Sequence, residues 1–140
     1  MDLHIKKLHP GAILPSFAHA HDAGLDLRTV AEVTVLPGER VQIATGLAIG
    51  IPVGHVGLIW DKSGLSQKKG LKTLGGVIDV GYRGEVYVGL YNTSTERYTF
   101  AAGDKIAQLL IQAILQPEII EVLELDDSDR GTDGFGSTGT

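Results

Sequence analysis

KIAQLLIQAILQ, residues 105–116, is the stretch on which the fold turns. Ile106, Leu109, Leu110, Ala113 and Ile114 fall at helical spacing among good helix formers, so periodicity alone predicts a helix. Everything around it reads as short strands. Val86, Val88 and Leu90 form the clearest period-2 stripe in the chain, and Val41, Ile43 and Thr45 alternate with Gln42 and Ala44. Gly46 and Gly50 then mark bends or bulges. Val56, Leu58 and Trp60 form a further alternating strand, and Val33 and Val35 share a face before the Pro37-Gly38 turn. Leu25 and Leu27 flank Asp26, and residues 3–8 alternate loosely as far as Pro10-Gly11. Ser63 is placed to cap a short helix through Gln67 that Gly70 ends. Short strands separated by turn signals at this spacing describe a barrel or a sandwich.

The composition agrees with many turns. There are 19 glycines in 140 residues, about twice the usual share. That length suits one domain with a real core. The formal charge of −5 argues against a general binder of nucleic acid or anionic membrane, but leaves a phosphate ligand open if the few cations converge. The absence of cysteine excludes disulfides, thiolate metal sites and thiol catalysis. MDLHIKKLHP at the start lacks the apolar core of a signal peptide, and no run nears the roughly 18 apolar residues of a membrane span. The expectation is a soluble, cytoplasmic protein with no membrane or nucleic-acid partner.

Three stretches are candidates for chemistry. In GGVIDVGYRGEV, residues 75–86, Asp79 follows two apolar residues, and a partly desolvated carboxylate there suits a base that activates water. The same residue also reads as a turn aspartate in a hairpin. In DKSGLSQKKG, residues 61–70, Gly64 after Ser63 lets backbone amides approach a phosphate at a helix start, with Lys62 adding charge. A plain capped helix is the alternative. The tail DDSDRGTDGFGSTGT, residues 126–140, sets Arg130 and a solitary Phe135 among glycines. It is a disordered end, or a flap whose aromatic stacks on a base while the arginine holds phosphate oxygens. It lacks the Lys-Ser/Thr ending of a P-loop. His19, His21 and Asp22 lack a third imidazole at a diagnostic spacing and read as surface or turn residues.

Taken together, these stretches resemble the five ordered motifs of the dUTPase family. AGLDL (residues 23–27), KSGLS (62–66), GGVIDVGYRGE (75–85), GDKIAQLL (103–110) and RGTDGFGSTG (130–139) match them in order. The resemblance implies a single-domain, all-β, distorted jelly-roll or β-barrel with one short helix, forming a homotrimer whose active sites draw on all three chains. It makes residues 105–116 a strand, against their helical spacing. It divides the chain into a barrel over 1–125 and a flexible glycine-rich arm over 126–140 that closes over the site. The activity implied is hydrolysis of dUTP to dUMP and pyrophosphate, which limits uracil in DNA and supplies dUMP.

Roles follow by position in the motifs. The resemblance makes Asp79 the activator of the water that attacks the α-phosphorus, and sets Tyr82 against the deoxyribose, excluding a 2′-hydroxyl. Gly76, Val77 and Ile78 offer backbone to the uracil edge, with Thr73 at the uracil site. Lys62, Ser63, Gly64 and Gln108 bind phosphate oxygens, Phe135 covers the uracil, and Arg130 holds the distal phosphates. Tyr87, Gly136 and Ser137 complete the substrate-binding set. Mg²⁺ rides on the triphosphate, with Asp26 reaching it through water.

The chain departs from the family pattern at Lys62, where arginine is usual, and at Gly81, where aspartate is usual. Thr73 stands for a common asparagine and Asp133 for a glycine. Gly81-Tyr82 is closer to the related dCTP deaminases, which share the fold. Those enzymes activate water with a glutamate ten residues after the matching aspartate, and that place is Gly89 here. A non-catalytic nucleotide-binding trimer is the other alternative, against which the intact Asp79 argues.

Overall fold

The structure, a computed structural model, describes residues 1–129 and 131–132. Ten strands and one short helix follow in the order β1 (His4–Lys7), β2 (Leu25–Arg28), β3 (Val33–Val35), β4 (Arg40–Gly50), β5 (His55–Trp60), α1 (Ser63–Lys69), β6 (Leu71–Leu74), β7 (Val77–Ile78), β8 (Glu85–Asn92), β9 (Tyr98–Phe100) and β10 (Lys105–Ala113). They form two four-stranded sheets, β1-β4-β8-β6 and β2-β10-β5-β7, and a β3-β9 pair, antiparallel throughout. The expected all-β fold with one short helix is present.

Residues 105–113 are a strand, as the resemblance requires and the periodicity does not. β10 lies between β2 and β5, paired with β2 over Lys105–Leu109 and with β5 over Gln108–Ala113, so ladder bonds take the place of helical ones. Its apolar residues follow no single alternation, for two reasons. A register shift between Lys105 and Ala107 lets consecutive Ile106 and Ala107 both turn inward. Further on, Leu109 is fully buried while Leu110 and Ile111 are half-buried, so apolar residues stand on both faces.

β8 behaves as its pattern predicts, with Val86, Val88 and Leu90 buried in the core. β5 does not. Its inward residues are Gly57 and Ile59, and the Val56, Leu58 and Trp60 stripe faces outward. Gly57 leaves room there for Ile51, whose Cδ1 would lie 2.8 Å from an added Cβ and would have to shift. On that outer face Trp60 pairs with Gln108, and Leu58 pairs with Leu110 and Val77. Trp60 is 53% exposed and Val77 68%, so an apolar sheet face is left uncovered.

Of the two suspected irregular glycines, Gly46 is the real one. It adopts φ +67° where the pairing of β4 with β8 slips between Ala44 and Ala48, and a Cβ would strike Val30, Ala12 and His9. Gly50 is regular strand, paired with His4. Strand structure ends at Ala113, and in the following residues Leu115, Ile119, Leu123 and Leu125 are almost fully exposed.

Candidate active site

A cleft of about 250 Å³ opens where β7 leaves the second sheet, lined by Gln42, Gly76, Asp79, Tyr82, Glu85 and Tyr87, with Val77 and Ile78 between them. Its floor is two paired residues. Val77 faces Leu58 and Ile78 faces Gly57, while Ile59 N–H donates to Gly76 O at 2.8 Å. Gly76 has φ +108°, and a Cβ would meet Ile59 O at 2.8 Å, so only glycine brings the hairpin this close to β5. Ile78 anchors the hairpin in the core, which leaves Asp79 at the start of a tight turn closed by Tyr82 N–H to Asp79 O at 3.1 Å.

Asp79 is exposed, which corrects the expectation that its apolar neighbours desolvate it. Ile78 points away from it into the core, because successive strand residues face opposite ways. Tyr82 folds back across Gly84, and its hydroxyl donates to Glu85 O at 2.6 Å. A Cβ at Gly84 would lie 2.7 Å from that hydroxyl. Glu85 Oε1 in turn accepts from Gly46 N–H at 2.8 Å, tying the cleft wall to the bulge of β4. Hydrogen bonding to the Glu85 side chain, and then its charge, raise the Tyr87 phenol above its ordinary pKa.

A second group gathers across β2, β10 and the start of α1. Asp26 is paired in register with Gln108, which is paired with Trp60, so the end of β5 delivers Lys62 beside Asp26. Lys62 Nζ lies 2.5 Å from Asp26 Oδ1 and Lys105 Nζ 2.6 Å from Oδ2. For Oδ2 that ion pair stands in place of a well-directed hydrogen bond. Burial pushes the carboxyl up, but bonding and charge from Lys105 and Lys62 outweigh it and hold the pKa below the ordinary value. Gln108 fits because Gly24 has no side chain, since a Cβ would lie 2.3 Å from Gln108 Oε1.

Helix α1 begins differently from the expected capped helix. Its N-cap is Lys62, with extended backbone and no side-chain cap, and Ser63 is its first helical residue. The amides of Leu65 and Ser66 bond to Lys62 O, and Ser63 and Gly64 are exposed at the helix start. Gly70 ends the helix in the left-handed conformation, as expected.

The hairpin residues Gly76, Val77, Ile78, Asp79, Tyr82 and Tyr87 therefore come together, and so do Asp26, Lys62 and Gln108. No residue of the second group, nor Ser63 or Gly64, lines the first cleft. Thr73 lines a neighbouring pocket with Gly75, Gly76 and Val77, but its hydroxyl is bonded to Asp61. Arg130, Phe135, Gly136 and Ser137 lie outside the described residues. Sequence reading missed Asp61, Glu85 and Lys105. Lys105 lies inside a motif already singled out, and only its contact with Asp26 marks it.

Asp26 does not fit a metal-facing role. It is 3% exposed, and a cation approaching it meets two ammonium groups first. Among the described residues no cluster of three or more His, Asp or Glu is arranged to hold a metal ion. The deaminase alternative loses ground as well. Gly89 sits in β8 outside the cleft, and a Cβ there would meet Leu74 O at 3.0 Å, so neither the carboxylate nor space for it is present.

Known proteins share this arrangement. The sequence model of the dUTPase family matches residues 11–139. The deoxyuridine 5′-triphosphate nucleotidohydrolase of Clostridium kluyveri is 47% identical over 142 residues, spanning 100% of this chain and 99% of its own. The enzyme of the same name from Nocardia farcinica is 45% identical over 138 residues, spanning 96% of this chain and 84% of its own. A Staphylococcus bacteriophage 80alpha dUTPase variant solved with dUpNHpp superimposes with a TM-score of 0.94 at 32% identity, covering 99% of both chains. A phage phi11 dUTPase variant, described with a structural Mg(II) ion, superimposes at 0.83 with 31% identity over 89% of this chain and 98% of its own. With a family model that matches nearly the whole chain, relatives at 45–47% identity and a fold that superimposes on solved dUTPases, the chain belongs to the dUTPase family.

Proposed function

We propose that this protein hydrolyses dUTP to dUMP and pyrophosphate. The observation that carries the reading is the hairpin cleft, which sets a carboxylate, exposed backbone and an aromatic ring side by side in a chain of this family. The uracil edge meets the backbone of residues 76–78, and the deoxyribose packs on Tyr82. That ring is held by its bond to Glu85 O and leaves no place for a 2′-hydroxyl. Asp79 takes a proton from a water molecule as its oxygen attacks the α-phosphorus. The bond from that phosphorus to the bridging oxygen breaks, and pyrophosphate leaves. General-base assistance of this kind supplies about 10²–10⁴-fold, so donors placed around the phosphates carry much of the remaining acceleration.

Lys62, Ser63, Gly64 and Gln108 are assigned to the phosphates. Lys62 contributes as one of two cations fixed by Asp26, giving that cluster a net positive charge. Mg²⁺ enters with the triphosphate as part of the substrate. Arg130 and Phe135 are assigned to a C-terminal arm that covers the nucleotide, with Gly136 and Ser137 in contact with it. A homotrimer is part of the same reading. No residue of the phosphate group lines the Asp79 cleft of the same chain, and the outer face of β10, β5 and β7 carries exposed Trp60 and Val77 beside half-buried Leu58 and Leu110. A cytoplasmic location goes with a substrate drawn from the nucleotide pool.

The test is direct. Purified protein is incubated with dUTP, dCTP, dTTP and UTP, and pyrophosphate and ammonia are assayed. Pyrophosphate from dUTP alone is expected; ammonia from dCTP, or no product at all, overturns the reading.

A further inference from the structure

Asp61 belongs to none of the five motifs, yet its side chain and carbonyl together make four directed contacts. It follows β5 and immediately precedes Lys62, the N-cap of α1. Its Oδ1 accepts from Thr73 N–H at 2.7 Å and from Thr73 Oγ1 at 2.8 Å, and its Oδ2 pairs with Lys72 Nζ at 2.5 Å. Its main-chain oxygen accepts from Gln108 Nε2 at 2.8 Å. β5 and β6 belong to different sheets, so this one residue links both sheets at the point where the chain enters α1.

The two sides it joins are unequally held. β6 is paired with β8 along four registered positions, from Leu71 opposite Asn92 to Leu74 opposite Gly89. Helix α1 is a seven-residue helix that buries no residue and has no side-chain cap. A helix so short, with only the half-buried Leu65 packed against the core, is weakly fixed by its own contacts. Asp61 therefore transmits the rigidity of β6 to the start of α1, and its carbonyl holds the Gln108 amide in place beside it. Four contacts on one residue amount to over-determination, which a merely solvated acidic side chain would not show.

From this geometry we infer that Asp61 is a positioning residue for the polyphosphate half of the site, fixing Lys62, Ser63 and Gly64 relative to Gln108 without touching the substrate. The inference rests on the dUTP reading above. It also explains why Thr73 and Gln108, both expected to meet substrate, have hydroxyl and amide donors directed at Asp61.

The experiment compares ligands that differ only in the phosphates they carry. Affinities for dUMP and for dUpNHpp are measured by titration on the intact protein and on Asp61→Ala, Asp61→Asn and Lys72→Met. Asp61→Ala is expected to weaken dUpNHpp about tenfold or more, since several directed bonds go at once, with dUMP affinity changed by less than about threefold. Asp61→Asn keeps an acceptor for Thr73 and should recover most of that loss, to within about threefold. Lys72→Met removes only a solvent-facing ion pair and should have little effect on either ligand. Equal losses for the two ligands in Asp61→Ala, or no loss for dUpNHpp, overturn the inference. If Asp61→Ala does not fold, Asp61→Ser, too short to reach Thr73 and Lys72 together, decides in its place: a loss confined to dUpNHpp supports the role, and an unchanged ratio of the two affinities overturns it. Hydrolysis of dUTP by the unsubstituted protein is assayed in parallel. Its absence would remove the functional reading, whereas active protein with an unaltered variant ratio removes only the role of Asp61.

Discussion

The Tyr82 hydroxyl donates to the main-chain oxygen of Glu85 at 2.6 Å, folding the ring back over Gly84. The bond spans three residues, so the ring proposed to meet the sugar is oriented by its own loop. Glu85 is itself tied by its carboxylate to Gly46 N–H in the β4 bulge, so the loop is anchored to the first sheet.

Gly84→Ala should disturb sugar choice without touching substrate. Its new methyl would lie 2.7 Å from the Tyr82 oxygen and must push the ring aside. The ratio of kcat/KM for dUTP over UTP is expected to fall about tenfold, roughly the worth of one well-made contact. Tyr82→Ala should lower the ratio at least as far. An unchanged ratio in both variants would place discrimination elsewhere.

Asp79→Asn should keep affinity for dUpNHpp within about tenfold and lower kcat by about 10²–10⁴-fold, because only the proton acceptor is lost. Since Asp79 is exposed and its side chain has no partner among the described hydrogen bonds, stability should hardly change. Near-normal turnover would remove the proposed role.

How far the sequence could be read divides along physical lines. Period-2 stripes such as Val86, Val88 and Leu90 were legible because one face is core and the other is not. β10 misled because apolar residues occupy both its faces and a bulge turns two consecutive residues inward. β5 misled in the opposite way, because its apolar stripe faces away from its own core and one of its two inward positions is a glycine. At the site, motif likeness singled out the hairpin, Lys62 and Gln108. It left unseen that Asp26 is clamped by two lysines and that Asp61 joins the sheets. Contacts between residues 26 and 105, or 61 and 108, depend on tertiary pairing that no local pattern encodes.

Removing residues 130–140 tests the proposed arm. The remaining chain keeps all ten strands, so folding should survive, as followed by thermal unfolding. Turnover of dUTP should fall strongly, because the truncation takes away a base-stacking ring worth about 1–3 kcal/mol in comparable sites and an arginine for the phosphates. Equal hydrolysis rates for the truncated and full chains would show that the tail takes no part.

Acid sensitivity should be set by two carboxylates. Burial raises the pKa of Asp26, but Lys105 and Lys62 outweigh it and leave the group below the ordinary 3.8. Burial likewise opposes Lys72 and Thr73 at Asp61, and again the net direction is down. A carboxyl whose folded pKa is depressed binds its proton more readily in the unfolded chain. Its contribution is therefore complete above the ordinary value and is lost as pH falls through the lower folded value. Thermal midpoints should thus owe nothing to these groups' titration between pH 7 and about 5, and should drop below about pH 4. At this chain length each kcal/mol lost shifts Tm by roughly 3–5 °C. Asp26→Asn with Asp61→Asn should begin less stable at pH 7, because two ammonium groups keep their places beside an uncharged amide at position 26. The same variant should lose less between pH 4 and pH 2, since its two strongest acid-labile contacts are already gone. A variant that falls as steeply as the unsubstituted protein over that window would assign the acid transition to other carboxylates.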